Sequence, residues 1–198
     1  MSVGYKVMYA LGVKPWDQDE TNGELIDLVE GAGALPAGRA LDLGCGTGAD
    51  AVYLAARGWK VTGVDSVAKA LHAARRRARS TGVDVTWVRG DVAALETLEL
   101  PGPYDLIFDL GCFHGLRDTD RARYAEGVTG VSAPGATLLM FVFAPGRRGP
   151  APRGVDRAEL TARFAPHWQI TDAHRALDVK LPGPIRNADP HWYRLQRC

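Results

Sequence analysis

The sequence has few of the features that mark secreted, membrane-spanning or disulfide-bonded proteins. Its three cysteines are an odd number, at spacings that fit neither a disulfide framework nor a zinc site. The longest strongly apolar run, Leu138 to Ala144, is far shorter than the ~20 residues of a membrane-spanning helix. Met1 to Leu11 lack the apolar core of a signal peptide. We therefore expect reduced cysteines in a cytoplasmic protein without a membrane partner.

An excess of charge of one sign is also missing. Lys and Arg number 24, Asp and Glu number 23, and the formal net charge is +1. Without a large positive field, counterion release gives little affinity for a nucleic acid, so no nucleic-acid partner is predicted. The arginines between Arg75 and Arg79 are expected to form a solvated helix face. His167, His174 and His191 show no spacing typical of metal ligands, so no metal is predicted.

Short apolar runs alternate with segments of helical spacing along most of the chain. The predicted strands of this alternation span residues 39–43, 60–65, 83–88, 104–110 and 135–144. The predicted helices span residues 3–11 and 24–30 before the first strand, and residues 49–58, 67–80, 116–131 and 155–164 after it. Such an alternation, with strands that lack polar residues at every second position, is typical of a parallel sheet covered on both faces. Ser66 is the expected N-cap of the helix at 67–80, and Val155-Asp156, with Glu159 near the capping-box spacing, is the expected start of the last helix.

The end of the chain breaks this pattern. Two strand-like runs, 168–176 and 191–197, have no helix between them and should pair antiparallel. About seven strands are therefore expected, with an antiparallel hairpin at the end. The length favours one domain over 1–198, in which residues 1–35 form an N-terminal helical lid and residues 36–198 the core.

A glycine-rich loop joins the first predicted strand to the first helix. It reads Leu41-Asp42-Leu43-Gly44-Cys45-Gly46-Thr47-Gly48, and its glycines allow a tight turn and close approach of a ligand to the backbone. Asp65 ends the next strand, where a carboxylate can accept hydrogen bonds from both hydroxyls of a ribose. The loop also satisfies the dinucleotide fingerprint G-x-G-x-x-G/A. An NAD(P)-dependent oxidoreductase and a purely structural turn are thus open alternatives.

Further positions favour a different nucleoside ligand. Asp42 precedes the first glycine by two residues, where its carboxylate can face a ligand ammonium, and Asp91 follows the third strand, where it can reach an adenine amino group. Together with the C-terminal hairpin, these motifs resemble the class I S-adenosylmethionine-dependent methyltransferases. The resemblance implies a Rossmann-like, doubly wound, seven-stranded α/β sheet, mostly parallel with an antiparallel C-terminal strand.

The resemblance also implies a cofactor, S-adenosylmethionine, with S-adenosylhomocysteine as its product. Asp42, Gly44 and Gly46 would lie along the methionine part, Asp65 at the ribose and Asp91 at the adenine. The whole set of cofactor-binding residues that it implies comprises Trp16, Asp42, Leu43, Gly44, Cys45, Gly46, Gly48, Asp65, Ser66, Gly90, Asp91, Val92, Asp109 and Leu110.

Two shorter motifs are similar to the thiopurine-methyltransferase-like and tellurite-resistance-like small-molecule group. Lys14-Pro15-Trp16-Asp17 looks like the segment that folds over the cofactor there, although a more acidic stretch follows it. Asp109 to Leu116 looks like the segment after the fourth strand. No Asn/Asp-Pro-Pro-Tyr/Phe motif ends that strand, which argues against methylation of a nucleobase amino group. A methyl group transferred to an O, S or N nucleophile of a small molecule is the expected reaction.

The protein's main task in such a reaction is to position the acceptor and exclude water. His114 is the candidate base, because imidazole accepts protons near neutral pH; alternatively it pads the cofactor without taking a proton. Tyr5 and Tyr9 share one helical face. This face either lines the acceptor pocket or packs towards the core. The predicted acceptor contacts are Tyr5, Tyr9, Phe113, His114 and Arg147. Arg147 lies in the loop after the fifth strand with Arg148 and Arg153, and these arginines either select an anionic acceptor or are simply solvated. A non-catalytic nucleotide-binding module is the remaining alternative.

Overall fold

The computed structural model describes residues 21–146, 152–177, 179, 181 and 185–198. Trp16, Tyr5, Tyr9 and Arg147 lie outside these residues, as does the helix predicted at 3–11. The described helices are α1 (Gly23–Glu30), α2 (Ala49–Ala55), α3 (Ala68–Thr81), α4 (Asp118–Val131) and α5 (Arg157–Phe164). The described strands are β1 (Arg39–Leu43), β2 (Lys60–Asp65), β3 (Val85–Arg89), β4 (Tyr104–Leu110), β5 (Ser132–Phe143), β6 (Trp168–Arg175) and β7 (Pro190–Arg197).

Within the described residues these strands form one seven-stranded sheet in the order β3-β2-β1-β4-β5-β7-β6. All pairs from β3 to β5 are parallel, whereas β7 lies antiparallel between β5 and β6. The predicted fold class, a mostly parallel α/β sheet with a reversed last strand, is confirmed. The chain turns from one side of β1 to the other between β3 and β4, so β1 and β4 flank the point where open α/β sheets bind ligands.

Apolar side chains cover both faces of the sheet. One core cluster includes Tyr124 of α4 and Phe164 of α5, and the other includes Leu25 and Leu28 of α1. Burial of this kind stabilises by about 25 cal/mol per Å² of apolar surface, which explains why the strands lack polar alternation. Among the described residues, none of the helices combines the length and apolar character that a bilayer-spanning segment requires.

Several helix ends differ from the prediction. Ser66 was expected to cap α3, but the N-cap residue is Val67, whose side chain cannot cap; the Asp65 carboxylate accepts the Val67 N–H instead, at 2.7 Å. That prediction was wrong because the helix begins at Ala68, one residue later than an N-cap at Ser66 requires. The cap predicted for α5 is confirmed, since Asp156 accepts a hydrogen bond from the Glu159 N–H at 2.8 Å.

Two short 3₁₀ segments, Val92–Thr97 and Phe113–Gly115, were not predicted. Each directly follows a strand that ends near the glycine loop. The second segment determines where the residues after β4 point, and it is central to the site described next.

Candidate active site

The carboxyl ends of β1, β2 and β4 bring three predicted site regions together. Leu43, at the end of β1, lies in register with Val64 of β2 on one side and with Asp109 of β4 on the other. The glycine loop that leaves β1 therefore passes between the end of β2, which carries Asp65, and the turn that follows β4.

The backbone of the glycine loop adopts conformations that favour glycine. Gly44, Gly46 and Gly48 have φ angles of 73°, 53° and 79°, in the left-handed region that side chains disfavour. A Cβ atom on Gly44 would lie 2.2 Å from the Sγ atom of Cys112. The Gly46 N–H donates to the Asp65 carboxylate at 3.0 Å. The end of β2 therefore holds the loop in place, and the turn after β4 packs against it.

Buried carboxylates surround this loop. Asp42 is 3% exposed and Asp65 is 5% exposed. Burial, reinforced by the neighbouring carboxylates of Asp50, Asp65 and Asp109, raises the pKa of Asp42 well above its usual range. Burial also raises the pKa of Asp65, although backbone N–H groups oppose the shift.

A cationic ligand fits this donor set. S-adenosylmethionine carries a sulfonium and an ammonium group, either of which would relieve the repulsion among buried carboxylates. A carboxylate offers about four lone-pair sites, so Asp65 can hold the Gly46 and Val67 N–H groups and still accept a ribose hydroxyl. Asp42 also accepts the Ala51 N–H in the first turn of α2, whose N-cap Gly48 has no side chain to do so. Sequence reasoning missed that capping role.

The region after β3 borders the same loop. The Gly90 N–H donates to the Asp65 carbonyl at 3.1 Å, and the exposed Asp91 caps the following 3₁₀ segment by accepting the Ala93 N–H at 3.0 Å. Val92 is buried in the core. Gly90 and Asp91 are therefore adjacent to Asp65, as an adenine-side position requires, while the Val92 side chain faces away into the core.

Asp109 has an internal role that differs from the predicted cofactor contact. Its carboxyl group is fully buried and accepts the Cys112 N–H at 2.6 Å, the Phe113 N–H at 3.1 Å and the Tyr124 hydroxyl. Burial raises its pKa to about 6. The group thus caps the turn after β4 from inside, and direct binding of the cofactor by this side chain is not supported. Leu110 beside it is half-buried.

Phe113 requires a similar correction. Its ring is fully buried and packs against Tyr124 and Phe164, with ring centroids 5.2 Å and 5.7 Å away. The aromatic side chain therefore fills the core beneath the turn, and we remove it from the predicted acceptor contacts.

His114 lies at the carboxyl edge of the sheet, as predicted, and is 2% exposed. Its ring stacks on Phe143 at 4.3 Å between centroids. Its Nδ1 atom accepts the Phe143 N–H at 3.1 Å. This N–H lies beyond the last residue of β5 that pairs with β4, so the ladder to that strand does not use it. The hydrogen bond does not support the base role predicted from the sequence.

Two further residues of this region were missed. The Cys112 thiol donates to the Leu43 carbonyl at 3.3 Å and so links the turn to the glycine loop. Arg121 was not singled out, although its side chain is fully buried. It precedes Tyr124, Ala125 and Val128 at the i, i+3, i+4, i+7 spacing of a buried helix face. A charged residue at a position of the buried helix face is the sequence signal that could have identified Arg121.

A separate cavity of about 550 Å³ lies at the opposite end of the sheet, where β1, β2 and β3 begin. Arg39, Trp59, Lys60 and Asp84 are among its lining residues, and no residue predicted for the site lines it. Ligands of open α/β sheets bind at the carboxyl ends of the strands, so the glycine-loop edge is the candidate active site.

The comparisons with known proteins agree with this geometry. Residues 40–135 match the family described as a methyltransferase domain. The chain is 32% identical over 164 residues to the 2-heptyl-1-hydroxyquinolin-4(1H)-one methyltransferase of Mycobacteroides abscessus, covering 80% of this chain and 70% of that protein. It is 30% identical over 151 residues to the probable thiol methyltransferase 2 of Arabidopsis thaliana, covering 76% and 66%.

A solved structure shares the fold. The 1,6-didemethyltoxoflavin-N1-methyltransferase of Burkholderia thailandensis, with S-adenosylhomocysteine bound, superposes with a TM-score of 0.76 at 23% identity, covering 98% of this chain and 85% of that one. The relatives decide against the oxidoreductase alternative. The chain belongs to the class I S-adenosylmethionine-dependent methyltransferases, in their thiopurine-methyltransferase-like group, and is an enzyme that methylates small molecules with S-adenosylmethionine as cofactor.

Proposed function

We propose that this enzyme methylates an acidic hydroxyl or thiol group of a small, planar molecule, and that the acceptor enters the site already ionised. The observation that carries the proposal is the hydrogen bond from the Phe143 N–H to Nδ1 of His114. The names of two relatives support the acceptor class, because one acts on a 1-hydroxyquinolinone and the other is a thiol methyltransferase.

The hydrogen bond fixes the tautomer of the imidazole. A neutral imidazole has one N–H and one lone pair. Since the lone pair on Nδ1 accepts the Phe143 N–H, Nε2 carries the proton. A proton taken from the acceptor would have to displace that backbone N–H, which would then lose its partner in a buried place. His114 therefore lines the acceptor site as a hydrogen-bond donor and does not take a proton. The acceptor must then lose its proton before it binds.

When bound, S-adenosylmethionine supplies a methyl group activated by its sulfonium, for an in-line displacement by the acceptor. The chain's own residues bind and orient. We retain as proposed cofactor contacts Trp16, Asp42, Leu43, Gly44, Cys45, Gly46, Gly48, Asp65, Ser66, Gly90, Asp91 and Leu110. Tyr5, Tyr9, His114 and Arg147 remain the proposed acceptor contacts, three of them outside the described residues.

A panel of acceptors of graded acidity tests the proposal. We would measure kcat/KM against pH for 2-heptyl-1-hydroxyquinolin-4(1H)-one and for ring-substituted thiophenols. The acidic limb of each profile should follow the pKa of the acceptor, and it should persist in His114→Gln. His174→Gln is the matched control, since His174 is an exposed histidine whose ring forms hydrogen bonds to Asp172 and Glu24. One limb common to all acceptors that disappears only in His114→Gln would restore His114 as the base.

The domain organisation and location are proposed on composition and on one contact. We propose a single domain in which residues 1–35 cover the core 36–198. The Asn22 N–H donates to Asp50 of α2 at 3.3 Å, and this contact between the proposed lid and the helix after the glycine loop supports the proposal. A cytoplasmic location, without nucleic-acid or membrane partners, agrees with the balanced charge and with the free thiols of Cys45 and Cys112.

A further inference from the structure

We propose that Arg121 is a positioning residue for the acceptor: its guanidinium ties the turn that carries His114 to the chain returning after β5, and thereby holds the His114 imidazole in place. This inference rests on the proposed function, in which His114 faces the acceptor as a hydrogen-bond donor. Arg121 itself touches neither ligand.

The guanidinium of Arg121 is buried and well satisfied. Nε donates to the Leu116 carbonyl at 3.2 Å, and Nη1 donates to the Glu159 carboxylate at 2.8 Å. Nη2 donates to two carbonyls, that of His114 at 2.8 Å and that of Gly154 at 3.0 Å. Because one nitrogen holds both carbonyls, the turn after β4 and the segment before α5 are held within a few ångströms of each other.

A closed ring of contacts runs from Arg121 through the imidazole and back. The Phe143 N–H donates to His114 Nδ1 at 3.1 Å, and the Phe143 carbonyl accepts the Val155 N–H at 2.8 Å. Gly154, the neighbour of Val155, returns to Arg121. The ring thus fixes both the backbone of His114 and the orientation of its side chain.

Gly154 closes this ring only because it is a glycine. Its φ is 80°, and a Cβ atom there would lie 2.1 Å from the Ala144 carbonyl oxygen. The chain therefore passes the end of β5 at a distance that leaves no room for a side chain at this position. An alanine would push the Gly154 carbonyl away from Arg121 without changing the arginine.

The pattern of partners argues for positioning over simple core filling. Three of the four acceptors are main-chain carbonyls of two separate segments. The carboxylate of Glu159 is shared with the more exposed Arg153 and Arg163. A buried charge is often replaceable by well-packed apolar side chains without loss of stability. A planar fork of donors, in contrast, holds several carbonyls in one geometry, as neither a lysine nor an apolar residue can.

Arg121→Met, Arg121→Lys and Gly154→Ala test the proposal, with Arg163→Met as the matched control that removes a surface arginine of the same ion-pair network. The first readout is the ¹⁵N NMR signature of the His114 imidazole, which distinguishes an Nε2–H ring from a mixture of tautomers and needs no acceptor. The second is KM for 2-heptyl-1-hydroxyquinolin-4(1H)-one and for thiophenol. The third is the affinity for S-adenosylhomocysteine.

We expect the three variants to mix the His114 tautomers. They should raise KM of the acceptor about tenfold, the effect of misaligning one well-placed hydrogen bond, while the affinity for S-adenosylhomocysteine changes little. Arg163→Met should change none of these. If Arg121→Met does not fold, Arg121→Lys and Gly154→Ala decide the question.

A lower thermal stability with an unchanged imidazole signature and unchanged KM would reduce Arg121 to a structural residue and overturn the proposal. Equal losses of acceptor and S-adenosylhomocysteine affinity would overturn it as well. Failure of the proposed function can be distinguished from failure of this inference. The former shows in the pH profiles of the wild type, whereas the tautomer of His114 measured by NMR depends only on the ring of contacts around Arg121.

Discussion

Replacement of Gly44 by alanine adds two free-energy costs to folding that glycine avoids at this position. The first is conformational, because the φ of Gly44 is 73° and an alanine in the left-handed region loses about 1–2 kcal/mol. The second is steric, because the new Cβ would lie 2.2 Å from Sγ of Cys112. That sulfur cannot move freely, since it donates to the Leu43 carbonyl at 3.3 Å.

The two costs have different partners and can be measured apart. Crowding of this kind costs about 1–3 kcal/mol, so Gly44→Ala should lower the free energy of unfolding by about 2–5 kcal/mol in total. In a Cys112→Ala background the obstructing atom is gone, and only the conformational cost should remain. The expected coupling between the two substitutions is therefore about 1–3 kcal/mol.

Urea unfolding of the wild type, Gly44→Ala, Cys112→Ala and the double variant measures the coupling. Titration of the same four proteins with S-adenosylhomocysteine shows whether the affinity for this ligand falls together with the stability. Gly58→Ala is the matched control: its φ is 86°, and a Cβ there meets nothing within 4 Å. It should cost about 1–2 kcal/mol in both backgrounds. If Gly44→Ala costs no more than Gly58→Ala, or costs the same with and without the Cys112 sulfur, then the loop does not rest on that sulfur and the reasoning fails.

Three further predictions concern charge. Because burial raises the pKa of Asp109 from 3.8 to about 6, the wild type should lose about 3 kcal/mol of stability relative to Asp109→Asn as pH rises from about 4 to about 6, and parallel pH–stability curves would contradict this. Partial burial lowers the pKa of His174, but Asp172 and Glu24 raise it by more; the stabilisation is present at low pH and is lost as pH rises through that raised pKa, so the wild type should exceed His174→Gln in melting temperature only on the acidic side. Asp42→Asn keeps an acceptor but removes the buried carboxylate, so it should stabilise the unliganded protein and weaken binding of S-adenosylmethionine and S-adenosylhomocysteine alike, because both ligands carry the ammonium group that Asp42 is proposed to face; calorimetry showing unchanged affinities would sink the charge argument.

Features that depend on the backbone could be predicted from the sequence. β2 and β4 have the predicted bounds, Lys60–Asp65 and Tyr104–Leu110, because both are rich in apolar or β-branched residues and are bounded by turn-forming residues: Ser66 follows β2, and β4 lies between Pro103 and Gly111. The glycine loop was found for a similar reason: the left-handed φ angles of Gly44, Gly46 and Gly48 belong to the local path of the loop, and glycine marks such angles in a sequence.

Features that depend on the direction of a side chain could not be predicted from the sequence. Asp109 and Phe113 lie in the predicted segment, but both are fully buried: the Asp109 carboxylate is bound by N–H groups of the turn after β4, and the Phe113 ring packs in the core. No local pattern signals that turn. The role of His114 depends on a backbone N–H of Phe143, which is remote in sequence. Ser66 failed as a cap because α3 begins at Ala68, one residue later than predicted, which leaves Val67 at the N-cap; residue propensity does not locate a helix end to a single residue.

The turn after β4 is where the two halves of the site meet. At one end, the Cys112 thiol bonds to Leu43 beside the glycine loop; at the other, the carbonyl of His114 bonds to Arg121. Asp109 holds the middle by accepting two consecutive N–H groups. Substitutions at the two ends should therefore act on one half each, Cys112 on the cofactor and Arg121 on the acceptor, whereas loss of the Asp109 side chain should impair both. The support that Asp109 gives to the turn explains why a carboxylate is buried here, with its oxygens engaged by the Cys112 and Phe113 N–H groups.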